Sequence, residues 1–171
     1  MGVTAAQHTR LLDWLAGLPF VDGGRVGFYG LSYGGFTAMR VPALLERYAL
    51  SINSAEFNDM ARKAAGVREL YSYPFYNTYE VFEFDLANTF GYGDLAGLVA
   101  PRPFMVERGH HDGVAPDEWV AAEYAGVRRL YARLGLPGRT AIEFFDGPHT
   151  IHGAGTFAFL HRHLRHAGPR P

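Results

Sequence analysis

A serine between two glycines is the first feature of the sequence that could do chemistry. The segment from Gly30 to Gly34 has the pattern Gly-x-Ser-x-Gly. It follows a short apolar run that begins at Val26 and precedes a helix-like run that begins at Phe36. A strand, a sharp turn with serine at its tip, and then a helix form a nucleophile elbow, in which the serine hydroxyl projects above the sheet. Ser32 is therefore the candidate nucleophile, and the flanking glycines predict a close approach of strand and helix.

A serine nucleophile needs a base to take its proton and a carboxylate to orient that base. Asp112 follows a predicted strand that begins at Pro103, and His149 follows a predicted strand that begins at Ala141. Ligands of parallel α/β sheets bind at the carboxyl ends of the strands. We therefore expect Ser32, Asp112 and His149 to lie at the same edge of one sheet.

Other residues are alternatives for these roles. His152 is the alternative base, three residues after His149. Asp117 is the nearest alternative carboxylate, although its position also suits an N-cap of the following helix. Glu107 lies within a predicted strand and is less well placed.

A zinc site is an alternative reading of the same loops, because imidazole and carboxylate groups suit zinc. The residues that could converge on such an ion are His110, His111, Asp112, His149 and His152. Their spacing matches no established zinc signature, so we predict no metal and no other cofactor.

The elements that must position these residues alternate between helix and strand. Helical periodicity covers residues 4–18, with Thr4 as its N-cap, then about 35–47 and a long stretch from Asp117. Strands are predicted at about 25–29, 49–54, 103–107 and 141–145. This alternation predicts a mostly parallel sheet of about four strands within an α/β fold.

Residues 55–100 are harder to interpret and are rich in aromatic side chains. We predict short helices and loops there, as an excursion or lid within a single domain that covers residues 1–171. The aromatic residues either fill the core or form a wall beside the substrate pocket. They are Phe57, Tyr71, Tyr73, Phe75, Tyr76, Tyr79, Phe82, Phe84, Phe90 and Tyr92.

Composition excludes several classes of protein. The chain has 171 residues and a net charge of −1, which argues against a nucleic-acid binder. It has no cysteine, which excludes disulfides and thiolate zinc sites. No apolar run approaches the roughly 20 residues that cross a membrane, so no membrane partner is expected. The first residues do not have the pattern of a signal peptide. Such a peptide could lie upstream of Met1, so localisation stays open, with the cytoplasm as the default.

These motifs together resemble the C-terminal half of an α/β-hydrolase of the dienelactone hydrolase-like or acyl-esterase kind. The order Ser, Asp, His is the order of that superfamily. The segment from Gly109 to Pro116 resembles the family's acid loop, and Gly147-Pro148-His149 resembles its Gly-x-His loop. The resemblance covers about residues 5–165 and is weakest over residues 55–100.

The resemblance implies a serine hydrolase that cleaves a carboxylic ester or a lactone, with a small-molecule or carbohydrate substrate. Ser32 would be the nucleophile, His149 the general base and Asp112 the orienting carboxylate. The backbone N–H of Tyr33 would be one oxyanion donor. The alternatives are a prolyl-oligopeptidase-like serine peptidase and a truncated, non-catalytic hydrolase-like domain.

The chain departs from the family in length. The family sheet has eight strands, and the four predicted strands correspond to the last four. The strand that pairs with the elbow strand and the loop that supplies the second oxyanion donor would lie upstream of Met1. We therefore expect a longer natural protein, and the activity of the half-length chain is left open. The elbow strand should be a free edge, which is a candidate surface for self-association.

Overall fold

The computed structural model describes residues 2–75 and 82–164, which exclude Tyr76 and Tyr79 of the predicted aromatic segment. The strands are β1 (Gly27–Leu31), β2 (Leu50–Ser54), β3 (Phe104–Gly109) and β4 (Thr140–Phe145). The helices are α1 (Gly2–Ala16), α2 (Tyr33–Leu44), α3 (Met60–Ala65), α4 (Leu86–Thr89), α5 (Tyr92–Gly97), α6 (Asp117–Arg133) and α7 (Ala154–His163). Short 3-10 turns cover Tyr73–Phe75 and Pro137–Arg139.

The strands form one parallel sheet in the order β1-β2-β3-β4, which confirms the predicted α/β fold. Because every strand runs in the same direction, all four carboxyl ends lie at one edge. The residues that follow β1, β3 and β4 are those of the three predicted catalytic segments. Strand β1 pairs with β2 alone among the described residues, so the elbow strand is an outer strand as predicted.

Helices cover both faces of this sheet, and the pleat of β3 shows how. Phe104 and Val106 are fully buried in a cluster that contains residues of α2, α5 and α6. Met105 points the opposite way, into a smaller cluster with Phe159 of α7. Alternate side chains of a strand leave opposite faces of its sheet, so β3 is buried on both sides. No helix in the described part of the chain is long and apolar enough to cross a membrane.

Several predicted boundaries are wrong by a few residues. Helix α1 begins at Gly2, which places Thr4 inside the helix rather than at its N-cap. Strand β1 begins and ends two residues later than predicted, because its pairing with β2 continues to the turn at Ser32. Helix α2 begins at Tyr33, immediately after that serine, and includes Pro42 in its last turn.

Glu107 is a buried structural carboxylate at the end of β3. It is fully buried, and its two oxygens accept hydrogen bonds from three hydroxyls and two backbone amides. These donors are Tyr29 Oη (2.8 Å), Ser54 Oγ (2.6 Å), Thr156 Oγ1 (3.4 Å), His152 N (3.2 Å) and Gly153 N (2.9 Å). The carboxylate therefore ties the start of α7 and the loop before it to the sheet.

The substitution Glu107→Gln should destabilise the fold. An amide can accept hydrogen bonds through its oxygen alone, so buried donors at its other end lose their acceptor. We expect the free energy of unfolding to fall by about 2–3 kcal/mol in urea denaturation. The exposed Glu118 provides the matched control, and Glu118→Gln should change stability by less than about 0.5 kcal/mol. Equal stability of the two variants would contradict this role.

Candidate active site

Ser32 occupies the sharp turn between β1 and α2. Its φ of 58° and ψ of −121° lie in a backbone region that non-glycine residues rarely adopt. Such a conformation costs on the order of 1–3 kcal/mol and is typical of functional sites. The Ser32 N–H donates to Ser54 O (3.0 Å), which anchors the turn to the end of β2. Tyr33 is the first residue of α2, where backbone N–H groups lack partners within the helix.

Two glycines make the turn possible, and one of them differs from the prediction. A Cβ on Gly30 would lie 2.2 Å from Gly34 O, and a Cβ on Gly35 would lie 2.6 Å from Ser54 O. A Cβ on Gly34 would meet nothing within 4 Å. The prediction that both flanking glycines allow the close approach therefore holds for Gly30 and is wrong for Gly34, where a Cβ would fit. Gly30 and Gly35 allow the close approach of β1, β2 and α2.

Asp112 and His149 are joined directly. The Asp112 side chain is fully buried, and its Oδ2 lies 2.9 Å from His149 Nδ1. Its Oδ1 accepts a hydrogen bond from Val114 N (2.9 Å). Because an ionised carboxylate only accepts hydrogen bonds, Nδ1 of the neutral imidazole carries the hydrogen and Nε2 carries the lone pair. The His149 side chain is about one-third exposed, at 34%. Its Nε2 makes no hydrogen bond within the described residues.

Ser32 lies at the same edge of the sheet but is not joined to this pair. It follows β1, whereas Asp112 follows β3 and His149 follows β4. Its hydroxyl makes no hydrogen bond to any residue that the structure describes. A contact between Ser32 and His149 therefore stays a prediction. Hydrogen bonds between catalytic residues often shorten only when the substrate binds.

The alternative residues are engaged elsewhere. His152 Nδ1 lies 2.8 Å from Glu143 Oε1, and its ring stacks on Phe145. Asp117 was predicted as a helix N-cap, but Pro116 occupies that position and the Asp117 carboxylate contacts His110 at 2.5 Å. His152 thus has a carboxylate partner of its own, and the choice of His149 and Asp112 over these alternatives stays a prediction.

The histidines of the two loops do not gather around one centre. His110 pairs with Asp117, and the exposed His111 pairs with Asp146 at 2.8 Å. Within residues 2–75 and 82–164, no group of three or more His, Asp or Glu side chains could hold a metal ion.

Glu56 is a buried ionisable residue near the site that the sequence did not reveal. It follows β2, so it lies at the same edge of the sheet as the predicted catalytic segments. Its Oε1 accepts hydrogen bonds from Tyr73 Oη (2.7 Å) and Tyr92 Oη (3.2 Å), and the two hydroxyls contact each other. Burial raises the pKa of Glu56, although both hydroxyls, Lys63 and His149 favour its charged form.

Lys63 is the cationic neighbour of Glu56 and the single lysine of the chain. Its Nζ donates to Val114 O (2.7 Å) and lies 4.5 Å from the centre of the Tyr73 ring. Burial lowers the pKa of Lys63 to about 8, although Glu56 opposes this shift. Aromatic residues of the 55–100 segment therefore both fill the core and surround charged groups beside the site.

No protein-family model and no curated protein matches the chain, but solved structures do. A carbohydrate esterase family 15 glucuronoyl esterase from Caldicellulosiruptor kristjansonii matches with a TM-score of 0.73 at 26% identity, over 94% of this chain and 49% of that one. The glucuronoyl esterase catalytic domain from Hypocrea jecorina matches with a TM-score of 0.69 at 19% identity, over 94% and 50%. A methylesterase matches with a TM-score of 0.63 at 19% identity, over 95% and 34%.

These neighbours define the class of fold. The four-stranded parallel sheet with its flanking helices is an α/β fold that matches part of esterases of the α/β-hydrolase type. The chain spans about half the length of the glucuronoyl esterases that it matches.

The two motif glycines should respond differently to substitution. Gly30→Ala places a Cβ against the backbone of Gly34, so strand and helix must separate. We expect a loss of at least about 2 kcal/mol of unfolding free energy, in line with other overpacked sites. Gly34→Ala, in open space within α2, should be neutral or stabilising by up to about 1 kcal/mol. Thermal and urea unfolding of both variants test this, and equal losses would contradict the assigned geometry.

Replacement of Glu56 should stabilise the protein in a pH-dependent way. Because burial raises its pKa, the folded state binds its proton more tightly than the unfolded state, and stability is lost as pH rises. Glutamine mimics the protonated form. The stability of Glu56→Gln relative to wild type should therefore increase as pH rises from about 4 to about 7.5. Urea denaturation at both pH values measures this difference in unfolding free energy. The same difference at both pH values would contradict a raised pKa of Glu56.

Proposed function

We propose that this chain carries the catalytic machinery of a serine esterase. The observation that supports this most is the Asp112–His149 hydrogen bond, which lies at the same sheet edge as Ser32 on its strained turn. A base with an oriented carboxylate and a serine at a helix N-terminus are the components that acyl transfer needs. The esterase neighbours share the fold that holds these residues.

In the proposed reaction, Ser32 Oγ attacks the ester carbonyl carbon while His149 Nε2 takes its proton. Asp112 stabilises the resulting imidazolium through Nδ1. The N–H of Tyr33 donates to the oxyanion of the tetrahedral intermediate. The alcohol leaves with the proton from His149, and an acyl-enzyme remains. Water, deprotonated by His149, then releases the acid and restores the Ser32 hydroxyl.

The substrate class that we propose is a carbohydrate ester, in particular the ester of a uronic acid. The names of the solved neighbours, glucuronoyl esterases and a methylesterase, support this choice. A lactone would favour the dienelactone hydrolase-like alternative, and a prolyl peptide the peptidase alternative. These three compound classes form the substrate panel for the purified chain.

Alanine substitutions of the two candidate histidines and of Ser32 test the site. Ser32→Ala and His149→Ala should each lower kcat for ester hydrolysis by at least about 10³-fold, because each removes a component of acyl transfer. His152→Ala is the matched control, since His152 pairs with Glu143, and its rate should stay within about fivefold of wild type. Release of acid from benzyl glucuronate and p-nitrophenyl acetate provides the measurement.

The opposite pattern would overturn the assignment. Ester hydrolysis that survives Ser32→Ala would exclude Ser32 as the nucleophile. A larger loss in His152→Ala than in His149→Ala would assign the base to His152. A folded wild-type chain that hydrolyses no member of the panel would favour the non-catalytic alternative.

A further inference from the structure

Arg108 is a buried charge that the proposed reaction does not use. It is 1% exposed and lies near the carboxyl end of β3, directly after Glu107. Neighbouring residues of a strand point to opposite faces of the sheet. Glu107 accordingly contacts the start of α7, whereas Arg108 contacts the loop that carries Asp112 and the start of α6.

The Arg108 guanidinium contacts the candidate catalytic carboxylate and the backbone of its loop. Its Nη1 lies 3.3 Å from Asp112 Oδ2, the same oxygen that accepts the hydrogen bond from His149. Its Nη2 donates to Asp112 O (3.0 Å) and also contacts Ala115 O. Its Nε lies 3.6 Å from Asp117 Oδ1. One arginine thus holds both the backbone of this loop and the charge of its carboxylate.

Sharing one oxygen between a cation and the histidine has an electrostatic consequence. The negative charge of Asp112 favours the protonated, cationic form of His149. A guanidinium on the same oxygen offsets part of that charge and opposes the imidazolium. Because both cations would contact the same carboxylate oxygen in a buried place, their repulsion should change the proton affinity of His149 measurably.

Other charges act on the same pair. Glu56, from the loop after β2, attracts a charged His149, and Lys63 of α3 interacts with Asp112. Asp117, at the start of α6, shares its carboxylate between Arg108 and His110. Arg108 is the cation in direct contact with the Asp112 carboxylate among these groups.

We propose that Arg108 is a positioning residue that fixes the Asp112 loop and keeps His149 in its neutral, basic form at lower pH than Asp112 alone would allow. The catalytic meaning of this role rests on the proposed function. The electrostatic effect on His149 does not, because it can be measured in a chain without any activity.

The test is an NMR titration of the His149 imidazole in the whole chain, with the resonance assigned by its loss in His149→Ala. Arg108→Met and Arg108→Gln remove the cation that opposes the imidazolium. In both variants the midpoint of the His149 titration should rise by about one pH unit, a tenfold change in proton affinity. In Arg108→Lys, which keeps the charge, it should move by less than about 0.3 units. Arg102→Met is the control, because Arg102 holds backbone carbonyls at the other end of β3.

A second readout is the acidic limb of the kcat/KM profile for ester hydrolysis, which should move with the NMR midpoint. A shifted midpoint in a chain without esterase activity would support the role of Arg108 and refute the proposed function. An unchanged midpoint in a folded Met or Gln variant would overturn the proposal. Failure of both neutral variants to fold, while Arg108→Lys folds, would assign Arg108 to folding alone and overturn it as well.

Discussion

The carboxyl end of β3 is the point on which the site depends, because two oppositely charged side chains are buried there. Glu107 faces α7 and accepts the amides of His152 and Gly153, which follow His149 in the same loop. Arg108 faces α6 and holds Asp112 through its backbone and its carboxylate. A buried charge is costly unless it is paired and hydrogen-bonded. The contacts of these two charges therefore favour the observed conformations of both loops, which carry Asp112 and His149.

The elbow is held by a different constraint, the close packing of backbone around Ser32. The positive φ of this serine is unfavourable by itself, and it persists because its surroundings leave the turn little alternative. Gly30 and Gly35 bring β1 and α2 so near to their neighbours that no side chain would fit. The strands thus position both parts of the proposed machinery. Ser32 is held by close backbone packing, and the His149 loop is held by its contacts with the buried Glu107 and Asp112.

Much of this arrangement could be predicted from the sequence, for identifiable reasons. The serine motif, Asp112 and His149 each follow an apolar run, and parallel strands bring such positions to one edge. Strand boundaries were less accurate, because β1 ends where its pairing with β2 ends rather than where its apolar run ends. At Asp117 a contact with a preceding loop replaces the role predicted from the local sequence, since its carboxylate contacts His110 instead of capping α6.

The residues that the sequence did not reveal are the buried ionisable ones, Glu56, Lys63 and Arg108. Each belongs to a residue type that is usually exposed, and nothing in its local pattern indicates burial. Their environment arises from elements that are distant along the chain, such as Tyr73 and Tyr92 around Glu56. A charged residue two positions after a buried strand is the signal that could have found Glu56.

The central claim is that Ser32 is a nucleophile activated by His149. The most direct measurement is fluorophosphonate labelling of the purified, folded chain, with the modified residue located by mass spectrometry. The account predicts a single adduct on Ser32 that is lost in His149→Ala and retained in His152→Ala. A folded chain that takes no label, or one that is labelled at another residue, would contradict it.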